Sequence, residues 1–365
     1  MDRLRATYRV RAGAGEIERR AEALAVEQSV EMPPGAVRDA RVADEVIGRV
    51  EEVAADGDGH FRVTLGLALE TTGFEAGQLM NMLFGNCSLQ PEVELVDVDL
   101  PEPALARFGG PRFGIVGLRA LAGAEHRPLT CSALKPQGSS PEALAALAGA
   151  LAAGGIDLIK DDHGLADQAA APFARRVEAV QRAIDAANRA GGGRCVYAPS
   201  LTGGPRRLHE QLRIAREAGV GMLMLAPMVS GLGALQELAE EAGLPILAHP
   251  ALGGAARIAP PALIGKLFRL AGADAVIYPN HGGRFSYGPH TCRAIAGAAR
   301  EPWGPLRAAL PVPAGGMTPQ RVEEMVDFYG RDVMLLIGGA LLEADDPTAA
   351  ARDFVRRVHT LGEAR

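Results

Sequence analysis

The sequence predicts an α/β fold, a C-terminal (β/α)8 TIM barrel preceded by a small N-terminal α+β domain of ferredoxin-like element order. Three observations predict it. From Leu129 onward, eight short apolar runs alternate with eight helical stretches, many of them Ala-rich, which is the arithmetic of a barrel. Nearly every run ends in glycine or polar residues, whereas a doubly wound open sheet would gather them at one switch point. The first hundred or so residues read instead as β-α-β-β-α-β.

Taken in order, Ala6–Arg11 alternates as a strand and Gly15–Val30 carries a helical pattern. Glu45–Val53 and Phe61–Leu69 read as two strands joined through the turn-forming segment Ala54 to Gly59. A helix over Glu75–Phe84 and a strand over Val93–Val98 complete the first unit, and Pro101, Pro103, Gly109, Gly110 and Pro111 punctuate a connector. The division falls at residues 1–120 for the N-terminal domain and 121–365 for the catalytic barrel. The barrel strands are expected at Leu129–Leu134, Ile156–Ile159, Cys195–Tyr197, Met222–Leu225, Pro245–Ala248, Ala275–Tyr278, Leu310–Pro313 and Val333–Ile337. The helices between them often open on proline, as at Pro141, Pro172, Pro260, Pro289, Pro319 and Pro347, the residue suited to a first helical turn.

Composition bounds the function. The chain has 365 residues, 48% hydrophobic and 22% charged, and a net charge of −6. Such a balance supports a packed core and leaves no basic stripe for nucleic acid. An anionic substrate would have to be held by local dipoles and a few cations. The four cysteines, Cys87, Cys131, Cys195 and Cys292, form no metal-type pair and are expected as buried thiols. No apolar targeting run opens the chain and no stretch reaches membrane-span length, so the expectation is a cytoplasmic protein without a membrane partner.

In a TIM barrel the C-terminal strand ends share one face. Here they bring together Lys135-Pro136-Gln137, Lys160-Asp161-Asp162-His163, His249-Pro250, the loop from Asn280 to Arg284, Ala314-Gly315-Gly316 and Gly338-Gly339. Alternation puts Lys160 and Asp162 on one face and Asp161 on the other. By themselves these residues fit either a salt-bridged cluster or a Mg²⁺ site, the latter only if Lys160 stops being a cation, for example by carbamylation. The glycine pairs Gly315-Gly316 and Gly338-Gly339, after strands seven and eight, fall where TIM barrels hold a phosphate with main-chain N–H groups. His249 is a candidate catalytic imidazole, and Arg284 a cation on a glycine-hinged lid.

These motifs resemble those of the large subunit of ribulose bisphosphate carboxylase/oxygenase, and more closely the RuBisCO-like proteins. Lys135-Pro136 is similar to the family's Lys-Pro-Lys, Lys160-Asp161-Asp162 to Lys-Asp-Asp-Glu, His249 to its His-Arg, Ala314-Gly315-Gly316 to Ser-Gly-Gly, and Gly338-Gly339 to the final Gly-Gly. Ala25 to Ser29 and Gly85-Asn86 resemble its N-terminal segments. The resemblance implies a homodimer with a shared active site, completed by Glu27 and Asn86 of the partner domain. It also implies Mg²⁺ on a carbamylated Lys160, Asp162 and the next position, with no organic cofactor.

Departures from the pattern narrow the reaction. His163 stands where the family's third ligand is Glu, Gln137 replaces a lysine, Met32 a phosphate-gripping threonine, and Arg284 the lid lysine. By residue count the family's strand-six histidine falls at Ile277, with His281 nearby. CO₂ fixation is therefore not expected. The expectation is proton abstraction and enolisation of a phosphorylated ketose such as a methylthioribulose phosphate, with Lys135 as acid/base group, His249 as a second proton carrier and Met32 facing an apolar substituent. Decarboxylation of a 3-oxo sugar-acid phosphate through the same enolate is the alternative enzyme. A non-catalytic sugar-phosphate binder is the alternative class.

Overall fold

The computed structural model describes residues 2–283, 285 and 287–363. Its N-terminal sheet has the order β2-β3-β1-β4, formed by Arg3–Arg11 (β1), Arg49–Ala55 (β2), His60–Ala68 (β3) and Val93–Asp99 (β4), all paired antiparallel. The helices Ile17–Glu27 and Ala76–Phe84 supply the two α positions, which completes the split β-α-β order read from the sequence. Period-two alternation explains the packing: Leu4, Ala6, Tyr8 and Val10 of β1 are all buried. Tyr8 satisfies its hydroxyl on the Leu83 carbonyl, 2.7 Å away.

Two expectations need correction here. Glu45 lies in a π-helical turn over Val42–Val46, so β2 begins only at Arg49. Just before that turn, the Asp39 carboxylate accepts from the Arg41 and Val42 N–H groups at 2.8 and 3.3 Å. The connector carries two helices, Glu102–Phe108 and Gly114–Ala122. The second starts on the buried Asp274, which accepts at 2.7 Å from each of the Phe113 and Gly114 N–H groups. Its Leu118 joins the lower barrel core, so a division after residue 120 runs through this helix.

The barrel strands are Leu129–Leu134 (β5), Leu158–Asp161 (β6), Val196–Ala198 (β7), Leu223–Leu225 (β8), Ile246–Ala248 (β9), Ala275–Pro279 (β10), Leu310–Ala314 (β11) and Met334–Leu336 (β12). They pair in parallel as β7-β6-β5-β12-β11-β10-β9-β8. Closure between β7 and β8 rests on the bridge Ser200–Met224, with Met224 N–H on the Pro199 carbonyl and Leu201 N–H on the Met224 carbonyl, each 2.9 Å. β6 runs two residues further than its apolar run, because Lys160 and Asp161 pair with Ala133 and Leu134 of β5. The lower interior is apolar, filled by Leu129, Cys131, Leu158, Met224, Leu247, Ile277, Val312 and Met334 among others.

The domains meet through main chain. The Leu95 N–H of β4 bonds to the Arg257 carbonyl and Ala259 N–H to the Leu95 carbonyl, at 3.0 and 2.8 Å. The buried Gln236 accepts from Ala76 N–H at 2.6 Å and donates to the Phe74 carbonyl at 3.0 Å.

Candidate active site

The alternation that builds the lower core also delivers the polar groups. Leu129 and Cys131 precede Lys135 on the interior line of β5, Leu158 precedes Lys160 and Asp162 on β6, and Leu247 precedes His249 on β9. The structure places these residues, with His163, in one cluster at the mouth. Lys160 is 4% exposed, and its Nζ donates to the Asp161 carbonyl at 2.9 Å. Burial lowers its pKa from the usual lysine value, and the Lys135 ammonium adds to this against the pull of Cys131 and Asp162.

Asp162 forms an ion pair with Lys135 through Oδ2 and accepts from Gly164 N–H at 2.9 Å through Oδ1. Burial pushes its carboxyl up, but the Lys135 and Gly164 hydrogen bonds outweigh that and hold it at about 2. His163 Nδ1 lies 3.5 Å from Asp162 Oδ1. The His163 ring stacks on His249 with centroids 4.3 Å apart and planes 8° from parallel. Burial first, then the charges of Lys160 and His163, push His249 down to about 2, so its imidazole is neutral. Its Nδ1 accepts from Ala251 N–H at 3.2 Å, which leaves the proton on Nε2. Gln137 lies against Gly164, where an added Cβ would strike its amide.

Asp161 turns the other way and is fully buried. It accepts from Arg176 Nε (3.2 Å), the Tyr197 hydroxyl (2.8 Å) and Ser200 N–H (3.1 Å). Arg176, itself 0% exposed, also donates to the carbonyls of Ala166 and Ala171 at 2.9 and 2.8 Å. This network fixes the end of β6 and the loop behind it.

The opposite side of the mouth is made of main chain. Gly315 and Gly316 adopt left-handed conformations, φ 82° and 71°. A Cβ on Gly283 would stand 2.5 Å from the Gly315 carbonyl oxygen, and one on Gly316 would strike Gly283 itself. The glycines therefore let two loops touch backbone to backbone. Gly338 and Gly339 open the short helix Gly339–Leu342, and a Cβ on either would meet nothing within 4 Å. Arg321 braces this side through the Gly316 carbonyl (3.2 Å) and the His281 carbonyl (3.3 Å), and pairs with Glu324 at 2.8 Å. Sequence reasoning missed Arg321 and Arg176. Arg321 stands three residues before Glu324 and reads as half of a surface ion pair, and nothing in the spacing marks Arg176 as buried.

Other expected residues lie elsewhere. Ile277 is buried in the barrel interior, while the His281 ring packs on Phe328 at 4.6 Å. Arg284 lies outside the described residues. Glu27 and Asn86 bond to each other at 3.0 Å on the N-terminal domain. Met32, on the same domain, is 39% exposed. A cavity of about 480 Å³ lies away from the mouth, between the N-terminal sheet and Trp303. Several of its charged groups are engaged: Lys266 pairs with Asp97 at 2.7 Å, Asp99 accepts from Trp303 at 2.8 Å, and Arg269 donates to main-chain carbonyls. It is an interdomain seam.

As a metal site the mouth cluster offers one carboxylate, Asp162, and the His163 nitrogen. Mg²⁺ demands mostly oxygen, so these donors fit it only if Lys160 supplies a second anionic oxygen as a carbamate. The lowered pKa of Lys160 favours the neutral amine to which CO₂ adds, so the lysine fits that role.

The family model for the ribulose bisphosphate carboxylase large chain, catalytic domain, matches residues 114–358. A 5-methylthioribulose-1-phosphate isomerase from Rhodospirillum rubrum is 56% identical over 347 residues, covering 94% of this chain and 93% of its own. A 2,3-diketo-5-methylthiopentyl-1-phosphate enolase from Geobacillus thermodenitrificans is 36% identical, covering 81% of this chain and 76% of its own. The crystal structure of a RuBisCO-like protein from Rhodopseudomonas palustris superposes with a TM-score of 0.93 at 51% identity, over 99% of both chains.

Proposed function

The chain belongs to the ribulose bisphosphate carboxylase large-chain family as a RuBisCO-like enzyme of the isomerase and enolase type, and on that premise we propose that it isomerises a methylthioribulose phosphate by proton transfer beside the carbonyl. The observation that carries the reading is the Lys135–Asp162 pair standing over the buried Lys160. Lys135 is the more accessible of the two lysines, with its side chain 42% exposed, so it can reach a ligand in the mouth. Removing the proton on a carbon next to a carbonyl sends the electron pair to the carbonyl oxygen. When the former carbonyl carbon takes up a proton, the hydroxyl on the deprotonated carbon passes its own proton to the oxyanion, and the carbonyl moves by one position.

In this cycle the Lys135 amine takes the first proton, and Asp162 stabilises the ammonium that results. On this reading the Lys135–Asp162 ion pair corresponds to the protonated half of the cycle. His249, neutral with its hydrogen on Nε2, donates a hydrogen bond to the developing oxyanion. The phosphate rests on the main-chain N–H groups at Gly315, Gly316, Gly338 and Gly339. A carbamylated Lys160, Asp162 and His163 would hold Mg²⁺, which as a Lewis acid supplies charge stabilisation at the carbonyl oxygen. In a homodimer, Glu27, Asn86 and the apolar Met32 of a neighbouring copy would close the far end of the substrate.

The test is incubation with a methylthioribulose phosphate in D₂O, with and without Mg²⁺, followed by NMR. Deuterium entering the carbons flanking the carbonyl, together with isomer, supports the reading. No exchange under either condition overturns it. Exchange only into the product of a 3-oxo sugar-acid phosphate, with CO₂ released, would favour decarboxylation through the same enolate.

A further inference from the structure

The outer wall of the barrel carries a second group of ligand-type side chains that the proposed reaction does not use. His209 sits on the helix Pro205–Ala218, which follows β7. Glu237 and Glu241 are one turn apart on Leu232–Glu241, the helix before β9, so their carboxylates share a face. His209 Nε2 lies 3.3 Å from Glu237 Oε1 and 3.5 Å from Glu241 Oε2. One donor atom from each of the three falls within 4.8 Å of the others.

A hydrogen bond outside the group fixes the imidazole. His209 Nδ1 is 2.8 Å from the Pro205 carbonyl, an oxygen that can only accept, so Nδ1 carries a hydrogen. Nε2 is then the atom facing both carboxylates. Three electron-rich atoms converging this way need a positive charge among them, either a proton on Nε2 or a metal ion. An imidazole that donates its other N–H to a main-chain carbonyl is the usual arrangement of a metal-ligating histidine. The donors are also held in place independently of any ion, because Arg216 of the same helix donates to the Ala242 carbonyl at 2.9 Å and to that of Glu241.

We propose that His209, Glu237 and Glu241 form a divalent metal site that takes a borderline transition ion such as Zn²⁺, with a fourth position left to water. One nitrogen and two carboxylate oxygens suit Zn²⁺ at a three-ligand site. The location gives it a role. The first helix leads into β8 and the second runs from β8 towards β9, and β8 meets β7 at the seam bridged by Ser200–Met224. A metal shared between the two helices staples that seam.

The test uses full-length protein stripped with chelator and titrated with ZnCl₂ by calorimetry, with thermal unfolding followed in parallel. Asp162→Asn serves as the background that weakens metal binding at the mouth. The site predicts one zinc equivalent and a raised unfolding midpoint in wild type and in Asp162→Asn. His209→Ala should weaken that equivalent at least about a hundredfold, beyond the typical loss from removing an outer-shell partner, and should cancel the shift. Glu237→Gln/Glu241→Gln must reproduce the loss, which covers the case in which His209→Ala folds poorly. Zinc binding unchanged in either variant, or no binding in wild type, overturns the site and leaves a protonated His209 bridging two carboxylates.

Discussion

The two sides of the barrel mouth are made of different material. Around β5, β6 and β9 it is built from side chains: the buried Lys160 and Asp162, with Lys135, His163 and His249 packed about them nearer the surface. Around β10, β11 and β12 it is built from glycine backbone, with Arg321 bracing the loops from behind. Side chains with displaced pKa values can move protons. Main-chain N–H groups cannot, but they can hold an anion without changing charge. On the proposed reading one mouth divides its work, with chemistry on one side and anchoring on the other.

The comparison can be broken most forcefully at its rigid base. Asp161→Ala leaves Arg176 buried without its carboxylate, a change that costs about 3–5 kcal/mol in buried pairs. Urea unfolding should show that loss. A loss below about 1 kcal/mol would mean the side-chain half is not held by this network. On the other side, Gly316→Ala forces a left-handed residue into Gly283, with strain of about 1–3 kcal/mol. Steady-state kinetics should show a raised KM for the sugar phosphate in this variant. Gly338→Ala meets nothing within 4 Å and should leave the unfolding midpoint in place.

Arg321→Ala removes charge-assisted bonds to the His281 and Gly316 carbonyls, worth about 1.5–3 kcal/mol. The account expects KM to rise about tenfold with kcat less affected. Equal losses in both constants would place Arg321 with the chemistry instead. A further prediction concerns pH. His249 is held at about 2 in the folded protein, against about 6.5 when unfolded. Between those values the unfolded chain binds a proton that the folded one refuses, so stability falls as pH drops from about 6.5 towards 2. Asp162, also held at about 2, adds a separate loss as pH falls from about 4 through that value. His249→Gln should flatten the thermal profile between about pH 4 and 6.5 and leave, below pH 4, only the loss that Asp162 causes. An unchanged profile would contradict the neutral imidazole.

Much of this was legible in the sequence because it follows period and punctuation. Alternation along β6 placed Lys160 and Asp162 on one face, the strand ends brought Lys135 and His249 to the mouth, and the glycine pairs marked strands seven and eight. The β-α-β-β-α-β order of the first unit was equally plain. The connector was misread because prolines and glycines at residues 101–111 hide two short helices, one of them started by Asp274 about 160 residues away in sequence. Arg321 was invisible because it braces main-chain carbonyls, which leave no mark in side-chain spacing, and Arg176 because its carboxylate partner Asp161 lies on a different element. β6 overran its apolar run because pairing with β5 tolerates polar residues where Arg176 and the mouth receive them.

The division of the mouth into chemistry and anchoring is tested most directly by Lys135→Ala, assayed for deuterium wash-in with a methylthioribulose phosphate and, in parallel, for binding of that ligand by calorimetry. The account predicts exchange reduced by about 10²–10⁴-fold with affinity for the phosphorylated ligand retained. Exchange at the wild-type rate would contradict it, as would loss of binding together with loss of exchange.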